Sequence, residues 1–170
     1  MARSRPTAAL ILIAGVLGLW SNVCGALETP EGRVILSVSG DIGTTNQGDR
    51  AVFDAAMLAE LEGRALETET PWHDGPKTFR GPLARAVLDA VDARGEQVTA
   101  TALNDYGAEI PVSDFREYDV ILATHKDGER MSVRERGPIF VIYPFDNHPE
   151  LHRETIYGRS VWQVNRLRVE

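Results

Sequence analysis

The sequence is almost without cysteine: 170 residues hold one, Cys24. Past that position no disulfide, cysteine zinc site, iron–sulfur cluster or thiol nucleophile can form within the chain. Long apolar runs are scarce as well. Ala8 to Trp20 spans about 13 residues, and a membrane-spanning helix needs ~20. Positive charge is in deficit, with 18 Lys and Arg against 25 Asp and Glu, for a net charge of −7. No basic cluster offsets it, which argues against a nucleic-acid partner. No Gly-x-Ser-x-Gly elbow is present, so a serine hydrolase of that type is not expected. Gly40-Asp41-Ile42-Gly43 is followed neither by Lys-Ser/Thr nor by a helix-opening glycine pattern, and reads as a turn.

What is there begins with the N-terminus. Arg3 and Arg5 precede the apolar run, and Ser21 to Ala26 is short and small, ending Val23-Cys24-Gly25-Ala26. That is the layout of a secretory signal cleaved after Ala26. Two other readings stand beside it: retention as an anchor, and lipid attachment at Cys24, where Val23 replaces the usual small residue. Cleavage gives residues 1–26 as signal and 27–170 as one domain of 144 residues, large enough for a real core. Losing Arg3 and Arg5 leaves 16 bases against 25 acids, net −9. The expected location is periplasmic or secreted, with no permanent membrane span. A cysteine-free domain there must stand on packing alone.

Patterning predicts strands over 33–39, 66–70, 97–103, 120–124, 139–143 and 160–169. It predicts helices over 53–62 and 83–93, with Asp54 as N-cap of the first and Pro82 just inside the start of the second. Ser113 or Asp114 is expected to cap a helical turn. Asp127-Gly128 signals a hairpin, and 144–159 reads as a long polar loop. The sum is an α+β domain, a mostly β body with two packed helices.

Candidate chemistry is sparse. His148 and His152 are four apart, a spacing that puts two metal ligands on one helix face. Pro149 opposes a helix starting at His148, and His73 and His125 are distant in sequence. The alternative is a polar surface loop. Trp72, His73, Tyr106, Tyr143 and Trp162 lie near turns or strand ends, where aromatic groups wall pockets or cap cores. Arg153 and Arg159 flank the late loop, placed to meet an anion or to pair with Glu150 and Glu154.

Taken in order, several segments resemble the oxidoreductase molybdopterin-binding domain of the sulfite-oxidase family. They are Phe53-Asp54 with the Leu58/Leu61 helix, Trp72, and Phe79-Arg80-Gly81-Pro82-Leu83. Ala102-Leu103-Asn104-Asp105-Tyr106, Ile110-Pro111, Leu122-Ala123 and Lys126-Asp127-Gly128-Glu129 follow. Gly137-Pro138-Ile139-Phe140-Val141-Ile142-Tyr143-Pro144 and Ser160-Val161-Trp162-Gln163-Val164 complete the series. The chain is similar to small exported stand-alone members. The resemblance implies a sulfite-oxidase-like fold with mixed β-sheets around a pterin pocket, and molybdenum held by a pyranopterin dithiolene and one protein cysteine. That cysteine falls in the stretch Thr68 to Trp72, which contains none. Threonine is a hard, poorly acidic oxygen ligand and does not replace a soft thiolate.

Three expectations follow. The first is a binding or accessory module for a redox or sensor protein at the membrane. Its pocket, for a small-molecule or pterin-like ligand, would be drawn from Trp72, His73, Tyr106, Tyr143, His148 and Arg159. The second is a molybdopterin-dependent oxidoreductase, transferring an oxygen atom or electrons, whose metal is held by the dithiolene and by Thr68, Thr70 or His73. The third is a metal-dependent activity on His148 and His152. The resemblance implies molybdopterin as cofactor, and the missing cysteine argues against molybdenum.

Overall fold

The computed structural model describes residues 27–170. The signal, the anchor alternative and Cys24 lie outside the described residues. Among those described, no helix is long and apolar enough to cross a membrane.

The first half contains β1 (Leu36–Gly40), β2 (Ala51–Phe53), α1 (Ala55–Glu60), β3 (Gly63–Thr68), β4 (Lys77–Pro82) and α2 (Ala84–Ala90). Then come β5 (Gln97–Ala102), β6 (Gly107–Pro111), α3 (Val112–Glu117), β7 (Ile121–Ala123), β8 (His125–Lys126) and β9 (Glu129–Arg130). The chain closes with β10 (Phe140–Ile142), α4 (Glu154–Arg159) and β11 (Val164–Val169). Among the described residues three sheets form: β2-β1-β11-β5-β6, β3-β4-β8-β9, and the pair β10-β7. In the large sheet β11 runs parallel to β1 and antiparallel to β5. This is the mixed-sheet α+β architecture expected.

The alternation read in 160–169 becomes the central strand. Val164, Leu167 and Val169 face inward, against Leu36, Val38, Val98 and Ala100 and the Val87, Leu88 and Val91 side of α2. A second, smaller cluster gathers Leu66, Phe79, Ile121, Phe140 and Ile142 under the four-stranded sheet. Trp72 packs against both clusters and so marks their junction.

Several local expectations are corrected. Among the described residues four short α-helices replace the two expected. Phe53 belongs to β2, and α1 starts after Asp54, whose carboxylate does cap it by accepting from Met57 N at 3.0 Å. Pro82 ends β4 rather than opening a helix. The N-cap of α3 is Pro111, while Asp114 lies in its first turn and turns inward. The 144–159 segment is ordered into two 3-10 turns, Phe145–Asn147 and Pro149–Leu151, followed by α4. β4 passes so close to β7 that a side chain on Gly81 would meet the Leu122 carbonyl.

Candidate functional site

Trp72 follows the end of β3 and is held by edge contacts rather than by secondary structure. Its indole lies 5.5 Å from the Phe140 ring, 5.9 Å from Trp162, 6.0 Å from Tyr157 and 6.5 Å from Phe145, centroid to centroid. Such tilted pairs stabilise beyond the area they bury. Trp162 is presented by a bridge between its backbone and Phe140. Tyr106 comes from the β5–β6 turn, where Asp105 takes a left-handed φ of 63° and Asn104 Oδ1 accepts from Tyr106 N at 3.2 Å. Tyr157 comes from α4.

These four aromatic residues enclose a cavity of about 400 Å³, with Asn104 and Ser160 as polar points. Among the described residues no charged side chain lines it. A largely apolar hollow with a few polar groups is the usual form of a small-molecule site.

Arg136 ties the two indoles together. Its guanidinium donates to the Trp72 carbonyl at 3.1 Å and sits 5.2 Å from the Trp162 ring centroid. Its Nε is buried with no hydrogen-bond partner, and among the described residues no carboxylate pairs with it. Next to it, His73 Nδ1 shares a 2.8 Å hydrogen bond with Thr70 Oγ1, and the ring packs on Phe79 at 5.6 Å. Burial holds the His73 imidazole below its ordinary pKa, and the positive charges of Arg136, Lys126 and Lys77 lower it further.

Behind the α4 wall lies a buried polar group. Asp114 Oδ2 accepts from the Tyr143 hydroxyl at 2.7 Å and from Arg159 Nη1 at 2.9 Å. Tyr143 is fully buried. Burial raises its pKa strongly, and the Asp114 charge adds to the rise, so it stays a phenol and a donor. Arg159 ends α4 and stands between Gly158 and Ser160, both of which line the cavity. The three residues thus fix one wall of the hollow to α3 and to the end of β10.

The structure therefore distributes the sequence-derived candidates. Trp72 and Tyr106 line the cavity, and Tyr143 and Arg159 anchor its wall from behind. His73 belongs to the neighbouring cluster beside Phe79 and Phe140. His148 lies apart, bonded to Glu150 at 3.1 Å and edge-on to Tyr118. His152 bonds the Tyr157 hydroxyl at 3.1 Å. A 3-10 turn separates His148 from His152, so the α-helical face their spacing allowed does not form. Among the described residues no three His, Cys, Asp or Glu side chains gather as for a metal ion. Tyr157 was not singled out from the sequence, since nothing in 144–159 announced the helix that carries it.

Thr68 closes β3 and is fully buried. Its hydroxyl donates to the Glu69 carbonyl and accepts from Asp146 N, each at 3.2 Å. The Asp146 carboxylate returns the contact by accepting from Glu69 N at 3.1 Å. Thr68 therefore pins the Phe145–Asn147 turn to the end of β3.

A family model described as the oxidoreductase molybdopterin binding domain matches residues 51–145. The chain belongs to that family. The match runs from β2 to the first 3-10 turn after β10. The molybdopterin-binding domain thus includes Trp72 and Tyr106, while the α4 wall with Tyr157 and Trp162 follows it in sequence. Among solved structures, the sulfane dehydrogenase SoxCD from Paracoccus pantotrophus is similar, with a TM-score of 0.59 and 18% identity. The similarity covers 85% of this chain and 40% of that one, and at this identity it shows the fold alone. No curated protein matches the chain.

Proposed function

We propose that this molybdopterin-binding-family domain is an exported, non-catalytic binding or accessory module. It takes a small, largely apolar or pterin-like ligand in the aromatic cavity and serves a membrane redox or sensor protein. Export rests on the leader pattern of residues 1–26, with its two arginines, apolar run and small-residue end.

The observation that carries the reading is the use made of Thr68. The resemblance places the metal-binding cysteine in the 68–72 stretch. A molybdenum centre there needs a soft, anionic donor with a free lone pair. Thr68 offers a buried neutral hydroxyl already spent on Glu69 and Asp146. Thr70 Oγ1 is bonded to His73 Nδ1, and neither residue is a soft, anionic donor. The residues present do not fit a protein-ligated molybdenum. What remains is a hollow with aromatic walls, two polar points and Arg136 braced against its indoles. That supports binding more than it supports oxygen-atom transfer.

Native mass spectrometry of the protein exported by its own leader tests this. The expected result is an organic ligand, or an empty chain that takes one up, with uptake lost in Trp162→Ala. A mass increment of a molybdenum-bearing cofactor on every chain would instead favour the oxidoreductase reading.

A further inference from the structure

A histidine that the aromatic cavity leaves unused stands in the middle of a basic row. On the four-stranded sheet, Arg80 of β4 lies directly opposite His125 of β8, and His125 lies directly opposite Arg130 of β9. Residues opposed in antiparallel strands point to one face, and neighbouring strands are about 4.7–4.9 Å apart. Three basic side chains therefore stand abreast, with the imidazole between two guanidiniums. None of them pairs with a carboxylate among the described residues. Glu67, on the same face of β3, stands opposite Thr78 and forms no ion pair. The Asp127 carboxylate is taken by Thr78 N and by Lys77. Like charges set opposite one another destabilise a sheet, so the row carries a cost that nothing on its own face relieves.

Arg80 and His125 also line a groove of about 350 Å³ between α1 and β4. Helix α1 contributes Leu58, Ala59 and Leu61 to it, none of them titratable. β3 contributes Arg64, whose charge is met by Asp119 at 3.1 Å. Among the described residues no Asp or Glu lines this groove. Thr124 supplies a hydroxyl that shares a 2.9 Å hydrogen bond with His125 Nδ1 and so fixes the ring. Nε2 has no partner among the described residues, and a protonated ring donates through it. Burial, and then the charges of Arg80 and Arg130, hold the imidazole below its ordinary pKa, and no carboxylate acts in the other direction. The ring is thus kept neutral for want of a negative charge beside it. An anion seated on the row reverses that balance.

We propose that Arg80, His125 and Arg130 bind a tetrahedral dianion of the phosphate type, free or as the monoester end of a larger ligand. Two guanidiniums flanking an imidazole offer donors to three oxygens, more than a planar carboxylate can present together, and two fixed positive charges match a dianion. Binding draws a proton onto His125, which then becomes a third positive donor. The groove shares no lining residue with the aromatic cavity, so the proposal stands whether or not that cavity takes a ligand.

The test is proton NMR of the histidine rings in the full chain, with His125→Gln assigning the His125 signal. Inorganic phosphate is titrated in at constant ionic strength set with chloride. It should shift the His125 ring, raise its pKa, and leave the other three histidines in place. Arg80→Gln and Arg130→Gln should each weaken phosphate by about tenfold. Both side chains are exposed, and a melting temperature no lower than the parent's shows that the fold survives. Sulfate keeps its charge across the histidine range, so its binding should strengthen as pH falls in the parent and not in His125→Gln. Tighter binding of phenyl phosphate than of inorganic phosphate would identify an ester as the ligand, and the reverse order the free ion. Three results would overturn the proposal. They are a His125 ring that phosphate does not move, an affinity indifferent to both arginine changes, or an equal response to chloride alone.

Discussion

Removing Arg159 should destabilise the protein well beyond an ordinary surface substitution. Its guanidinium meets Asp114 at 2.9 Å, with side-chain exposures of 23% for Arg159 and 11% for Asp114. Arg159→Met keeps the stem and deletes the charge. The Asp114 carboxylate then keeps the Tyr143 hydroxyl as its remaining side-chain donor. Breaking a fully buried pair costs about 3–5 kcal/mol. Water reaches this one, so the cost falls below that range, roughly 2–3 kcal/mol. For a domain of this size each kcal/mol moves the melting temperature by about 2–4 °C, a loss of roughly 4–12 °C. Adding Asp114→Asn removes the stranded charge, so the double variant should be more stable than the sum of the singles, by about 1 kcal/mol or more. Urea denaturation of the four proteins measures this. Additive costs, or an Arg159→Met loss within about 0.5 kcal/mol, would refute the claim that this group holds the α4 wall.

Further outcomes follow from the same contacts. Trp72→Ala should cost about 3–5 kcal/mol, as for other large aromatic truncations, because the indole joins both apolar clusters; chemical denaturation checks it. Asp54→Asn should melt close to the parent, and Asp54→Ala clearly below it, since asparagine also accepts from Met57 N and alanine cannot. Burial and nearby positive charge hold His73 below its ordinary pKa, and His125 is lowered by burial and by Arg80 and Arg130. The unfolded chain then binds protons that the folded chain refuses. Stability should be full above the ordinary histidine range and fall as pH drops through it. His73→Gln should flatten that slope in denaturation curves recorded across this range.

Much of the fold was legible because alternation and turn chemistry are local signals. Val164–Val169 and Gln97–Ala102 alternate and lie side by side at the centre of the main sheet. Asp127-Gly128 closes the β8–β9 hairpin, and Asp54 caps α1. β4 escaped notice because Lys77-Thr78-Phe79-Arg80-Gly81-Pro82 offers one large apolar residue and ends in two strand-weakening ones. It is fixed by its partners β3 and β8 and by the close approach at Gly81. α4 escaped for a related reason. Thr155, Ile156 and Gly158 are poor helix formers, and tertiary contacts through Arg159 and Tyr157 supply what propensity does not. The site followed the same division. Trp72 and Tyr106 sit at turns that the sequence announces, whereas Tyr157 rides on the helix that it does not. Asp114 looked like a cap because capping residues and buried acceptors share one chemistry; only the fold shows that Tyr143 and Arg159 claim its carboxylate.

The most direct measurement is molybdenum per chain, by elemental analysis of protein produced from the full sequence in cells supplied with molybdate. With no thiolate in the Thr68–Trp72 stretch where the resemblance places it, and Thr68 there buried and bonded, the wild-type protein should carry no stoichiometric molybdenum. One molybdenum per chain, retained through purification, would contradict the account.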